Sequence, residues 1–359
     1  VRKEFVLAML LLLAGCGRSF EWFPQEDTKA PVVTAFVYHT ESGSLTATIE
    51  RFSATDNVAV SGYLVSESSA PPSSTDSGWT SAPPSSHALA SAESKTLYAW
   101  ARDAAGNVST VKGFTPAYSL QKKVAFPSGV GWVADIAFDR GSSTFWLLAG
   151  TSGPPPNALV KIDANGQKLA TVDGVSWPFY IGGAKAGEAG ETSSLAYDGR
   201  NFWISSAGYD NSGPVPVPKS EIYLILADGS YYATYPCPAT SEGKGFCQGL
   251  VWDGTSIWAT ASDKRNLVSF HLLPDATLSI GTPSADIWGS DGVSDMGFDS
   301  TSGRLMVLKD GLLKVDSLTL SLSGSRSFTL PGSGKGDWDG SLFWVVDNVS
   351  KMLLGLSFP

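Results

Sequence analysis

Short apolar runs alternate with clusters of Gly, Pro, Ser, Thr, Asn and Asp along nearly the whole chain. That spacing predicts short strands joined by turns rather than long helices. From residue 119 onward the pattern repeats. Aligning on one Asp gives five copies: IAFDRGSSTFWLLAG, LAYDGRNFWISSAG, LVWDGTSIWATAS, MGFDSTSGRLMVLKD and GDWDGSLFWVVDN. The anchors are Asp139, Asp198, Asp253, Asp299 and Asp339, each preceded by an aromatic residue: Phe138, Tyr197, Trp252, Phe298 or Trp338. In three copies a Trp stands five residues on (Trp203, Trp258, Trp344); in the others the turn is longer by two and the position holds Trp146 or Met306. A register kept through an insertion marks a genuine repeat. Asp-Gly between apolar runs predicts a two-residue type I′ hairpin, with positive φ at both central positions. Further runs, Leu159 to Asp163 with Lys168 to Val172 and Ile222 to Leu226 with Tyr231 to Tyr235, are turned by Asn165-Gly166 and Asp228-Gly229. Each copy is thus expected to hold about four antiparallel strands.

A single such sheet has two apolar faces and needs cover on both, which radial closure supplies; the expected architecture for residues 119–359 is a β-propeller. The anchors are 59, 55, 46 and 40 residues apart, spacings that suit four-stranded blades with loops. Five blades are expected, or six if a degenerate copy escapes the pattern. The run Leu120 to Phe126 has no partner in the first copy, and the last copy holds only three strands. That run is therefore expected to supply the outer strand of the last blade and close the ring. The Trp row reads as core packing between blades, and turns account for the Asp anchors better than metal does. The Asp-Gly-x-x-(Phe/Ile)-Trp hallmark resembles NHL, YncE-like and streptogramin-lyase-like propellers. The histidine-centred site of the lyase-like propellers has no match here.

Residues 30–117 predict one β-sandwich, from the runs Val32 to Tyr38, Leu45 to Phe52, Val58 to Val65 and Lys95 to Arg102, separated by turn clusters. The phrases DTKAP, ATDNVAVSGYLVSES and LYAWARDAAGNVS resemble the bacterial Ig-like repeats of exported proteins. The resemblance implies that Asp56 begins a loop near one pole and that Asp103 and Asn107 close a turn there. With Asp27 these residues offer hard oxygen ligands, which makes calcium the one ion the sequence suits; no other cofactor is expected.

Ahead of that module, Arg2 and Lys3 precede an apolar run, Phe5 to Leu13, too short to span a bilayer core of about 30 Å as a helix. It predicts an export signal, residues 1–15. Leu13-Ala14-Gly15-Cys16 resembles the bacterial lipobox, which implies a lipid on Cys16, a membrane anchor, and a tether over residues 16–29. Gly17 rather than Asp after the cysteine favours the outer membrane, on its periplasmic or cell-surface side. Once Cys16 is lipidated, Cys237 and Cys247 form an even pair in an oxidising compartment and are expected to be disulfide-bonded. A net charge of −9 over 359 residues argues against nucleic acid.

Catalytic sets are scarce. The three histidines (His39, His87, His271) have no metal-ligand spacing, and Cys-x-x-Cys-His is missing, which excludes covalent haem. GSGKGDW lacks the Ser/Thr and following helix of a phosphate loop. The expected role is non-catalytic: recognition of an envelope protein or polysaccharide through one rim of the ring, where longer loops gather. The candidate rim residues are Trp132, Trp177, Phe179, Tyr180, Tyr209, Asp210, Trp288, Asp291, Asp295 and Lys335, since aromatics and charges on loops suit contact. The alternative is an envelope hydrolase or lyase using channel carboxylates such as Glu188, Glu191, Asp210, Asp291 or Asp295, split in pKa for acid–base work.

Overall fold

The computed structural model describes residues 26–92, 95–151, 157–174, 177, 191–210, 217–237, 247, 249–261, 266–282, 284, 295–308, 311–316, 322–327, 331 and 334–358. The chain is all-β: every regular element among them is a strand. The first part holds β1 (Val32–Glu41), β2 (Thr46–Thr55), β3 (Val60–Ser66), β4 (Ser86–Ala88), β5 (Leu97–Asp103) and β6 (Gly113–Phe114). β1, β2 and β4 lie in one sheet, and β3, β5 and β6 in a second. Alternation along the strands sends Phe36, Tyr38, Ile49 and Phe52 from the first sheet against Leu97, Ala99 and Ala101 of β5. The buried Tyr38 hydroxyl donates to the carbonyls of Lys95 and Phe114, beside β5 and in β6, so one side chain satisfies its own polar tip while tying the sheets together.

After β7 (Ser119–Ala125), each repeat copy becomes an up-and-down sheet. The first is β8 (Val130–Asp139), β9 (Thr144–Thr151), β10 (Asn157–Ile162) and β11 (Lys168–Asp173). The second is β12 (Glu191–Tyr197), β13 (Phe202–Asp210), β14 (Val217–Ile225) and β15 (Tyr231–Pro236). The third is β16 (Leu250–Trp252), β17 (Ile257–Ala261), β18 (Asn266–Leu272) and β19 (Leu278–Ile280). The fourth is β20 (Asp295–Asp299), β21 (Arg304–Leu308), β22 (Gly311–Asp316) and β23 (Leu322–Ser327). The last copy supplies β24 (Gly336–Trp338), β25 (Phe343–Asp347) and β26 (Met352–Ser357), and β7 pairs antiparallel beside β26 as its fourth strand, from Met352↔Ala125 to Ser357↔Ser119. The closing strand expected at Leu120 to Phe126 is therefore present.

The first strands of the copies meet in cyclic order: β8 beside β12, β12 beside β16, β16 beside β20, β20 beside β24, and β24 back to β8. That circuit is propeller-like. Separate apolar clusters fill the gaps between successive sheets, with Trp146 against Phe202 in one and Trp344 against Phe145 in another. The short Asp turns lie at one end of the ring, and the longer connections leave from the other.

The hairpin turns differ from the two-residue type I′ expectation. Tyr197 pairs with Phe202, Trp252 with Ile257 and Trp338 with Phe343, leaving four residues in each connection. Gly199, Gly254 and Gly340 take positive φ, but their Asp neighbours do not. The Asp side chain does the turning instead. Its Oδ1 accepts the backbone N–H groups two and three residues on: Arg200 and Asn201 at Asp198, Thr255 and Ser256 at Asp253, Ser341 and Leu342 at Asp339. A carboxylate that caps its own turn removes the need for a second left-handed residue.

β7 also does something the sequence did not suggest. Its start pairs in parallel with the end of β1, Thr40↔Ser119 and Glu41↔Leu120, so one seven-stranded sheet runs from the last copy into the first part. Around this seam Tyr118 and Val37 join the apolar cluster of the last copy, and His39 stacks on Tyr118 at 4.7 Å. Glu50 accepts from the Tyr118 hydroxyl at 3.1 Å and pairs with His39 at 2.9 Å.

Candidate functional site

Four residues before each anchor Asp, the innermost strand of every copy reaches the middle of the ring. Those positions hold Asp135, Ser194, Gly249, Asp295 and Lys335. Asp135 and Ser194 are fully buried, Asp295 is 1% exposed and Lys335 4%. Their contacts join sheets that are not neighbours, which puts them at the centre. The carboxyls of Asp135, in the first sheet, and Asp295, in the fourth, lie within hydrogen-bonding reach. Lys335, from the last copy, donates to Ser194 Oγ of the second at 2.8 Å. Gly249 leaves the room this needs: a Cβ there would stand 3.3 Å from Asp295 Oδ1.

The same carboxylates also staple neighbouring sheets. Asp135 Oδ2 accepts Leu195 N–H at 2.7 Å, and Asp295 Oδ2 accepts Gly336 N–H at 2.8 Å. One residue further along β24, Asp337 Oδ2 accepts Phe138 N–H at 2.8 Å. In each case the acid of one sheet holds the innermost strand of the next in the circuit. At the turn end, the Arg140 guanidinium crosses to the carbonyls of Trp252 at 3.1 Å and Phe298 at 2.7 Å.

Burial dominates the electrostatics. It pushes Asp135 well above the ordinary carboxylate range, and the nearby charge of Asp295 adds to that. Asp295 is raised by burial too, with Lys335 pulling against it. Burial lifts Asp337 to about 6 despite the positive charge of Arg140. Chemically, the cluster offers two carboxyl groups, a lysine amine and a hydroxyl within one buried network.

The expected rim residues fall in four groups. Asp295 and Lys335 do come together, but in the buried centre rather than on an exposed rim. Trp177 also departs from the rim: it is 6% exposed, packs between the first and second sheets, and donates its indole N–H to Gly229 O at 2.9 Å. A large apolar ring with a satisfied N–H gains more in the core than on a loop. Trp132 is half-buried against that same cluster. Tyr209 and Asp210 end β13, at the long-connection end of the ring. Phe179, Tyr180, Trp288 and Asp291 lie outside the described residues, as do Glu188, Cys16 and the export signal. Asp135 and Ser194 were not singled out from the sequence. The signal was there: the column four before the anchors is polar or glycine in otherwise apolar strands.

At the far pole of the first part, carboxylate oxygens of Asp27, Asp56 and Asp103 lie within 4.8 Å of one another. Asp56 Oδ2 caps Val58 and Ala59 N–H, while its Oδ1 is buried without a hydrogen-bond partner. Asn107 turns its Nδ2 toward Asp103 Oδ2 and Asp27 O, at 2.7 and 2.9 Å. Cys237 and Cys247 face each other at bonding distance, their Cα atoms 6.0 Å apart, inside the cluster between the second and third sheets.

No family model and no curated protein sequence matches this chain. Among solved structures it is similar to the glutaminyl cyclase of Myxococcus xanthus, at 11% identity and a TM-score of 0.43 over 67% of this chain and 97% of that one. It is also similar to a candidate gluconolactonase, at 12% identity and 0.39 over 73% and 84%. A candidate 6-phosphogluconolactonase of Bacteroides uniformis gives 12% identity and 0.35 over 80% and 75%. Likeness this remote transfers no activity, and the fold rests on the strand order and the cyclic contacts described above.

Proposed function

We propose that this chain is an envelope lipoprotein, anchored through Cys16 to the outer membrane, in which an Ig-like sandwich carries a five-bladed β-propeller that binds a protein or polysaccharide. The observation that carries the reading is the seven-stranded sheet shared by the two parts. A shared sheet makes a stiff spacer, as a module that displays a binding surface at a fixed distance from a membrane requires. The filled centre of the ring favours recognition at its loop-bearing end over chemistry in an open channel. Trp132, Tyr209 and Asp210 stand on strand ends there, and Trp288, outside the described residues, is proposed to act with them. The test is crosslinking in the producing cell followed by capture with the full chain. Trp132→Ala combined with Trp288→Ala is expected to reduce capture of the crosslinked partner about tenfold or more. Equal capture by the variant refutes the assignment.

A second reading is favoured by the Asp135–Asp295 pair itself. Two buried carboxyls in one network, both raised above the ordinary carboxylate range, are a pair that an envelope hydrolase or lyase can use for acid–base work. Turnover of an envelope polysaccharide by the wild type that Asp295→Asn abolishes would establish this reading over the first.

The acidic pole supports calcium as the bound ion. Three converging carboxylates and the orphaned Asp56 Oδ1 suit a hard cation. Asp27, Asp56 and Asp103 would hold it, and it would pin the entry of the chain to the two adjoining loops. A Tm that does not move between calcium and chelator removes the ion from the account.

A further inference from the structure

Two carboxyl groups in contact inside a protein do not both stay ionised, because neither water nor distance screens their repulsion. Asp135 and Asp295 meet that condition. They are 0% and 1% exposed and reach each other across the ring from sheets that share no edge. Each has one oxygen committed to the backbone N–H of a neighbouring strand. Asp135 Oδ1 accepts from Ile136 N–H, whereas Asp295 Oδ1 is buried without a hydrogen-bond partner among the described residues. The hydrogen able to satisfy that oxygen is an acidic proton on Asp135.

The surrounding charges agree with one proton rather than two or none. From β24 and the residue before it, Asp337 and Lys335 face the pair; β12 contributes the neutral Ser194, and Gly249 before β16 contributes nothing. Arg140, on the turn after β8, acts on Asp337. Among the described residues Lys335 is thus the cation beside the two carboxyls. One ammonium, one carboxylate and one carboxylic acid make a neutral cluster.

We propose that Asp135 and Asp295 hold a single proton between them, and that this proton is a pH-sensitive latch tying the first sheet to the fourth through the middle of the ring. The proton sits on Asp135 and is donated to Asp295 Oδ1. When it leaves for solvent, two facing carboxylates remain with one Lys, and the central brace becomes a repulsion. The sign follows. A carboxyl whose folded-state value is raised gives stability that is complete at low pH, below the value of the unfolded chain, and is lost as pH rises through the folded value. The latch therefore holds in acid and loosens toward alkali.

The test uses the full chain and two independent readouts. Thermal unfolding is followed against pH for wild type, Asp135→Asn and Asp135→Ala. Asn can donate Nδ2–H where the acid donated its proton but gives up one of the two backbone N–H groups that Asp135 accepts, so Asp135→Asn is expected to start below the wild type in acid and to keep its Tm where the wild type declines. The gap between the two should close by roughly 3–6 °C toward the alkaline end. Infrared spectroscopy supplies the second readout and needs no unfolding. Folded wild type is expected to keep a carboxylic-acid carbonyl band at pH values where free carboxyls have ionised. At pH well above the value of about 6 to which burial lifts Asp337, that band should be lost in Asp135→Asn, retained in Asp337→Asn, and titrate with the fall in Tm. A wild type without the band overturns the proposal, as does a band that survives Asp135→Asn. So does a pair of variants equally destabilised at every pH.

Discussion

In three copies a single aspartate performs two tasks. One oxygen caps the turn; the other accepts the indole N–H of the Trp five residues on, at 2.9 Å from Trp203, 2.6 Å from Trp258 and 2.6 Å from Trp344. The spacing of five is thus a hydrogen bond as well as a packing register, which turn chemistry alone did not reveal. The first copy shows what happens when the turn lengthens. Trp146 Nε1 is buried without a partner, and Asp139 pairs with Lys161 at 2.8 Å while that ammonium sits 5.2 Å from the Trp146 ring. Burial works to raise Asp139, but hydrogen bonds from Lys161 and Ser142 outweigh it and hold the carboxyl below its usual range. A charge-assisted bond to a buried indole carries more than a neutral one. Urea unfolding of Asp253→Ala, Trp258→Phe and the double variant should give a coupling energy of about 1–2 kcal/mol. Strict additivity would reduce the Asp–Trp contact to coincidence.

Strands β7 and β11 both stand fourth in a copy, yet their surroundings differ. Leu169 on β11 is 51% exposed, whereas Val124 on β7 is 4% exposed and packs with Trp344, Val346 and Leu353. Leu169 falls at the β-bulge of β11, whereas Val124 points inward, as its counterpart Val172 does between the first and second sheets. Val124→Asp should therefore cost about 3 kcal/mol or more, because it buries a charge with no partner. Leu169→Asp should stay within about 0.5 kcal/mol in the same denaturant titration. Equal effects would mean that β7 does not close the ring in solution. The place of β7 was legible because a run without a partner and a copy short of one strand match by subtraction. The central cluster was not. Asp135 and Asp295 sit in different copies, and only the closed circuit decides which sheets face each other across the middle. The aromatic loop residues misled for a related reason: Trp177 looks exposed until a neighbouring copy supplies Gly229 O.

Two units that share a sheet unfold as one when the seam is stronger than either unit's independence. Here the seam comprises two backbone-paired residues on each side, the Tyr118–His39 stack, the Tyr118 hydroxyl on Glu50, and Val37 set into the apolar cluster of the last copy. A flexible linker would have made none of these, and its loss would go unnoticed by either unit. Tyr118 is the residue on which most of them converge, at 4% exposure. Replacing it with Ala removes the stack, takes one of two partners from the half-buried Glu50 and opens a void, a combination worth about 3–5 kcal/mol. The wild-type chain should therefore melt in a single calorimetric transition, with intrinsic fluorescence and far-ultraviolet circular dichroism coincident. Tyr118→Ala should separate it into two, the sandwich with its own midpoint and the ring with another. Two transitions already present in the wild type would show that the shared sheet does not couple the parts, and with it would go the stiff spacer on which the binding role depends.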